Sequence, residues 1–297
     1  MRARLWAVLA IAIVAISSSA ILVRWADASP IALAFWRTLG GALVLAPAAA
    51  RAAVRPTKAQ WVGIGLAGVA LGAHFATWLA SLELTSIAAS VTLVATVPLI
   101  VAVALALTGR PPGSRTWLAI VLAIAGTLII TLGDIDGGGS GRSPLIGNGL
   151  ALIGAATMAF YLITGDRLRT SLSTAAYASR TYAVAAATML AVALIGGVDL
   201  IGYDRRTWLA VLGMIIGPQL AGHTALNFLL GQLGSVSVSL ALLAEPLGAT
   251  ILAWLAFREL PPLAAAFGAP LVIIGVAIHI VNDSGSSSPS FDRKGQG

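Results

Sequence analysis

Residues 223–259 read HTALNFLLGQLGSVSVSLALLAEPLGATILAWLAFRE, and from Ser235 to Phe257 the only charged side chain is Glu245. More than twenty residues at about 1.5 Å each cover the roughly 30 Å of a bilayer's hydrocarbon, so this stretch reads as a membrane span with an acid inside it. A lone charge at that depth costs several kcal/mol unless it faces water or a partner, which makes Glu245 a candidate site residue. The competing reading is structural. Pro246 removes a backbone hydrogen bond, and the neighbouring carboxyl could serve the freed groups.

The rest of the chain has the same character. Of 297 residues, 58% are hydrophobic and 10% charged, with a mean hydropathy of +0.94, whereas soluble domains carry about a quarter charged residues. The formal charge of +7 sits mostly in short loops. It forms no basic face with interleaved aromatics, so orientation in a membrane explains it better than nucleic acid does. The absence of cysteine excludes disulfides, thiolate catalysis and Cys-ligated metals.

Outward from residues 223–259, ten apolar segments can be marked: about 5–23, 30–50, 61–82, 87–107 and 116–132, then 145–164, 174–195, 208–230, 235–257 and 263–281. The first resembles a cleaved secretory signal, but its removal would leave nine spans and break the symmetry described next, so it is kept as a helix. The expected organisation is a first repeat over 1–133, a Gly-rich linker over 134–144, a second repeat over 145–282 and a polar tail over 283–297. With the N-terminus inside, cytoplasmic loops and ends carry eleven Lys and Arg against five outside, leaving Arg37 and Arg180 within spans. That bias places both termini in the cytoplasm.

Sliding one half over the other exposes a repeat. At an offset of 143, Arg37-Thr38 falls on Arg180-Thr181; at 149, His74 falls on His223, Ser86 on Ser235, Ser90 on Ser239, Gly126 on Gly275 and Asp134 on Asp283. Each half has five spans, an odd number, so the second copy enters the membrane from the opposite side. The expected fold is therefore an all-α polytopic membrane protein, ten transmembrane helices in a five-plus-five inverted repeat. Inverted repeats are characteristic of secondary transporters, whose substrate site lies near the midplane between halves.

The segments TSIAASVTLVATVPLIVAVALALTGR (85–110), GSVSVSLALLAEPLGATILAWLAFRE (234–259) and GAPLVIIGVAI (268–278) resemble the paired signature of the drug/metabolite transporter superfamily, EamA type. The likeness extends over about residues 5–281. It implies ten helices, cytoplasmic termini and export or exchange of small metabolites, often amino acids. The family's acid-proline pair in the ninth helix matches Glu245-Pro246, and its following glutamate matches Glu259. Two departures make the substrate harder to infer by analogy: Arg110 stands where many members have Gly-Glu, and Ser17-Ser18-Ser19 where a Trp is common.

Polar residues at helix midpoints are the candidates for a cavity. His74 and Trp78 lie one turn apart, as do His223 and Asn227, so each pair shares a helix face. With Glu245 they could surround a solute bearing an amine and a carboxylate, the acid holding the ammonium and the imidazoles or Asn227 the oxygens. Ser18 and Tyr161 are further lining candidates, as are Ser17 and Gln219. Arg37 and Arg180 are read either as snorkelling to headgroups or as gating or pairing residues. His74 could equally be a packed histidine bonded to a backbone carbonyl. A membrane enzyme would bring a metal cluster or nucleophile motif; none is present, and no nucleotide-binding loop points to ATP. The expectation is a secondary transporter exporting a small polar or zwitterionic metabolite, an amino acid or related amine, by alternating access with or without protons, without cofactor, metal or nucleic acid. A passive facilitator is the main rival, and a receptor or scaffold a lesser one. Oligomeric state is left open.

Overall fold

A computed structural model of the chain describes residues 2–85, 90, 93–132, 142–258 and 263–285. The helices are α1 (Arg2–Trp25), α2 (Pro30–Ala50), α3 (Lys58–Leu84), α4 (Val97–Leu107), α5 (Ser114–Leu132), α6 (Pro144–Leu168), α7 (Thr174–Ile195) and α8 (Arg205–Met214). A π-helical segment, Ile215–Thr224, continues α8 into α9 (Ala225–Leu242), followed by α10 (Glu245–Phe257) and α11 (Leu263–Gly285). Ser86, Asp134 and Glu259, most of the expected linker and all of the tail beyond 285 lie outside the described residues.

Local sequence sets the helix starts. Pro30 and Pro144 occupy first helical positions, where no N–H is needed. Thr57 and Gln60 form a reciprocal capping box at α3, with bonds of 3.3 and 2.8 Å. Asp204 caps α8 by accepting the Thr207 N–H at 2.8 Å, and hydrogen bonds from Thr207 hold its carboxyl below the usual carboxylate range.

Among the described residues six helical stretches are long and apolar enough to cross a membrane: Arg4–Trp25, Pro30–Ala50, Lys58–Leu84, Pro144–Leu168, Thr174–Ile195 and Arg205–Leu242. Shorter apolar helices cover Val97–Leu107, Ser114–Ile129 and Ala266–Val281. The longest stretch is broken at Gly234, whose φ of 78° is open to glycine and strained for other residues, so one span ends there and the next begins at Ser235.

The fourth and ninth spans differ from the continuous helices expected. Each is interrupted within one residue of the same place in its repeat, by Ala95-Thr96 in one and Leu243-Ala244 in the other. At both breaks the chain tightens, with N–H to carbonyl bonds from Thr96 to Leu93 (3.2 Å) and from Ala244 to Ala241 (3.0 Å). Pro98 and Pro246 follow near the start of each second half-helix, α4 and α10. A proline in a continuous helix would lack its N–H bond and press on the carbonyl four residues back, so each span restarts around its proline. Counted through these breaks, the helical spans among the described residues number ten.

Packing repeats across the two halves. α3 lies on α6 as the π segment lies on α1, and α4 lies on α6 as α10 lies on α1. α2 packs on α7 and α5 on α11, each pair joining equivalent helices of the two halves. The α5–α11 crossing is the tightest statement of this symmetry. A Cβ on Gly126 would stand 2.6 Å from the Gly268 carbonyl and 2.8 Å from the Val272 nitrogen. One on Gly275 would stand 2.7 Å from the Ala119 carbonyl and 2.9 Å from the Ala123 nitrogen. Residues 268 and 272 are 119 and 123 displaced by 149, the offset read from the sequence. The interior is rich in small residues such as Ala12, Ala67, Ala155 and Ala185, while Leu107, Leu145 and Ile195 point outward. Small residues inside and large apolar ones outside suit a bundle in lipid.

Candidate functional site

The described polar groups converge where α1, α2, α3, the π segment and α10 meet. Arg37, in the second turn of α2, is 6% exposed. Its Nε donates to Gln219 Oε1 at 3.0 Å, its Nη1 donates to Ser19 Oγ at 3.1 Å, and its guanidinium carbon lies 5.0 Å from the centre of the Phe75 ring. Nη2 has no partner. Gly41 makes this possible. A Cβ there would meet Gln219 Cγ at 2.6 Å, so a larger residue would push the π segment off α2 and carry Gln219 away from Arg37. The π segment itself contains Pro218, whose missing N–H disfavours regular i to i−4 bonding.

Aromatic rings cluster beside Arg37. His74 stacks on Trp78 at 6.0 Å, Phe75 lies 5.4 Å from His74, and His223 meets the Phe75 edge at 5.9 Å. His74 Nδ1 is 2.9 Å from the Gly154 carbonyl oxygen. A carbonyl only accepts, so Nδ1 carries the proton and Nε2 is the acceptor of the neutral ring. Among the described residues Trp78 Nε1 has no hydrogen-bond partner.

Glu245 opens α10. Its backbone oxygen accepts from Ser17 Oγ at 3.0 Å, and Gly248 one turn on lets Ser17 come close to α10. Among the described residues nothing donates a hydrogen bond to its carboxylate, and the residue is half-buried. Arg37 and Glu245 act on each other electrostatically without forming a direct ion pair. The Ser17-Ser18-Ser19 run thus holds the acid's backbone from one residue and the guanidinium from another. Ser18 faces elsewhere: it bonds to the Ala15 carbonyl at 2.7 Å and lines an apolar cleft of about 470 Å³ with Leu22, Leu252 and Leu255.

Tyr161 and Asn227 meet each other. Tyr161 Oη donates to Asn227 Oδ1 at 2.7 Å, and Asn227 Nδ2 donates to Tyr182 Oη at 2.9 Å, tying α6 and α7 to α9 beneath the ring cluster. Arg180, the repeat equivalent of Arg37, donates to the Ala176 carbonyl at 2.7 Å and to Ala49 at 3.5 Å and lies over Trp61. It is held at the end of α2, apart from the cluster.

Sequence reasoning did not single out Phe75, the ring between the two histidines, nor Ser19. It also missed a polar nest at one end of the bundle, where Asp166 Oδ2 accepts from Ser235 N–H (3.1 Å) and Oγ (3.0 Å), and His279 contacts Ser237 at 2.8 Å. These residues line a cavity of about 270 Å³ with Arg110 and Thr116. The only signal for them was polarity near span ends. Among the described residues no three His, Asp or Glu side chains are grouped to hold a metal ion.

A sequence model described as the EamA-like transporter family matches residues 1–132 and 145–281, one match for each half. The fold is similar to a solved structure titled "Crystal structure of protein", with a TM-score of 0.78 at 21% identity, over 95% of this chain and 99% of that one. Comparison with curated proteins gives no match.

Proposed function

The chain belongs to the EamA-like transporter family, and from that premise we propose that this multi-pass membrane protein exports a small zwitterionic metabolite, an amino acid or related amine, by alternating access. The observation that carries the reading is the opposed pair of poles, Arg37 and Glu245, beside a half-helix start at the junction of the two repeats. Interrupted spans at matching positions of two repeats are where secondary transporters place their substrates. In this reading the repeats are inverted, and His74, Trp78, His223 and Glu245 wall the site. Tyr161 and Asn227 fix the eighth span behind it, Ser18 lines the adjoining cleft, and Arg180 is a pairing residue at the other face. The protein sits in the cell membrane with both termini cytoplasmic and performs no catalysis.

Counterflow separates a carrier from a passive facilitator. Proteoliposomes loaded with unlabelled solute and diluted into a trace of the labelled one should show a transient accumulation above equilibrium, because an alternating-access carrier returns loaded. Monotonic equilibration without overshoot identifies a channel and overturns the proposal. Orientation is tested separately. Single cysteines at Lys58 and Ile201, introduced into this cysteine-free chain, should react with an impermeant thiol reagent from opposite faces, Lys58 from the cytoplasm. Reaction of both from one face rules out the ten-span topology.

A further inference from the structure

We propose that Arg110 and Asp166 are the two sides of a gate at the end of the bundle assigned above to the cytoplasm, closing on each other as an ion pair when the carrier turns away from that side. The inference rests on the alternating-access reading and adds the residues that shut one end.

The cavity of about 270 Å³ at this end is walled by both repeats. Leu105, Arg110 and Thr116 come from the first, and Asp166, Leu233, Ser235, Ser237 and His279 from the second. A space with walls from each repeat changes shape when one repeat rocks against the other. One side of it is held. Thr116 on α5 and His279 on α11 contact each other at 3.4 Å, and those two helices are seated backbone on backbone at Gly126 and Gly275. The change therefore falls on the remaining walls, at the ends of α4 and α6, where Arg110 and Asp166 stand.

Each of these walls is built to present its charge. α4 ends in a turn of the Schellman type: Gly109 has a φ of 78°, its N–H donates to the Ala106 carbonyl at 3.1 Å, and the Arg110 N–H donates to the Leu105 carbonyl at 2.8 Å. That turn fixes the Arg110 backbone at the rim and leaves its side chain exposed. Asp166 is half-buried, and it accepts the Ser235 N–H and Oγ at one oxygen, Oδ2. A carboxylate has two oxygens, so Oδ1 is left for a second donor. A guanidinium supplies such donors with a matching charge. Among the described residues Arg110 and Asp166 are, besides His279, the ionisable side chains lining this cavity. They carry opposite signs and come from opposite repeats, and they line the space without being joined in an ion pair. Asp166 also reaches towards the candidate site. The Ser235 that it holds begins the first half of the ninth span, whose second half opens on Glu245.

The competing role for Arg110 is anchorage to anionic headgroups, which needs no Asp166. The reporter that separates the two is Leu233→Cys, a single thiol on the cavity wall of this cysteine-free chain. Its rate of reaction with a hydrophilic thiol reagent is measured on purified protein, beside counterflow in proteoliposomes. Arg110→Gln and Asp166→Asn each remove one charge, and asparagine keeps an oxygen for Ser235. Each should raise the rate about threefold or more, because the closed population loses its pair. Arg110→Glu sets like charges across the cavity and should raise it further. The two neutral changes together should do no more than either alone, since both delete one interaction. Arg115→Gln and Arg115→Glu, at an exposed arginine that does not line the cavity, should leave the rate unchanged.

Additive effects of Arg110→Gln and Asp166→Asn, or Arg115 variants that match the Arg110 ones, assign Arg110 to headgroups and overturn the gate. If Asp166→Asn does not fold, Arg110→Glu against Arg115→Glu decides the matter: equal rates overturn the gate, and a selective rise at Arg110 supports it. Unchanged rates in the Arg110 variants with normal counterflow remove the gate and leave the carrier standing. A wild type without counterflow overshoot removes the carrier, and the gate with it.

Discussion

Glu245→Gln should abolish uphill transport driven by a pH gradient and leave downhill exchange in place. In proteoliposomes with the extracellular face acidic, the wild type should accumulate substrate on that face against its own gradient, and the variant should reach equilibrium and stop. The carboxylate occupies the first position of α10, half-buried, and no described group donates a hydrogen bond to it. It is therefore open to a proton or an ammonium group, one at a time. Protons entering from outside would displace the solute outward and return with the emptied carrier, which is antiport produced by competition for one acid. Glutamine keeps the shape and removes the titration. A wild type indifferent to the gradient, or a Gln variant that concentrates substrate equally well, rules out this coupling and leaves facilitated exchange. A fixed structural role beside Pro246 predicts a different outcome, loss of folded protein without selective loss of the uphill component.

The largest effect on stability is expected at Gly126 and Gly275. Even an alanine at either would place its methyl within 3 Å of backbone atoms on the facing helix, and backbone cannot rotate away as a side chain can. Overpacking of this kind costs about 1–3 kcal/mol per site. Leucine at both should leave no monodisperse protein in detergent. Gly149→Ala is the control, since nothing lies within 4 Å of its Cβ position, and its melting temperature should match the wild type within about 1–2 °C. A stable double variant would mean that α5 and α11 do not cross where these glycines place them.

The repeat was legible because its register is carried by rare residues and by glycines that sterics demand. The offset of 149 read from His74, His223, Gly126 and Gly275 recurs in the paired backbone contacts of the α5–α11 crossing. The limits of α2 and α7 were legible too, since Pro30 and Ser173 are local start signals. The interruptions at 95–96 and 243–244 and the π segment were harder to see. They leave hydropathy unchanged and depend on which carbonyl a proline deprives of its partner. Equivalence in sequence also misled about the arginines. Arg37 and Arg180 fall in register, yet one is drawn inward by Gln219 and Ser19 and the other is held by the carbonyls of Ala176 and Ala49. A side chain's direction is set by its neighbours on other helices, and those are not in its own segment. Ser17 to Ser19 illustrates the same point, since three identical residues meet a carbonyl of α10, a carbonyl of their own helix and a guanidinium.

The mutual seating of Gly126 and Gly275 makes the α5–α11 junction isologous: each half carries both the knob and the socket, as a subunit does in a twofold dimer. Two separate copies of such a half would have to be identical everywhere, so any charge placed at the interior would appear twice, facing its own image across the axis. Joining them in one polypeptide removes that restriction. The frame can stay symmetric where backbones touch while the interior diverges, with a single acid at Glu245 where, at the offset of 149, the first half has Thr96. Covalent fusion is thus what allows this bundle to hold one negative pole and not a repelling pair.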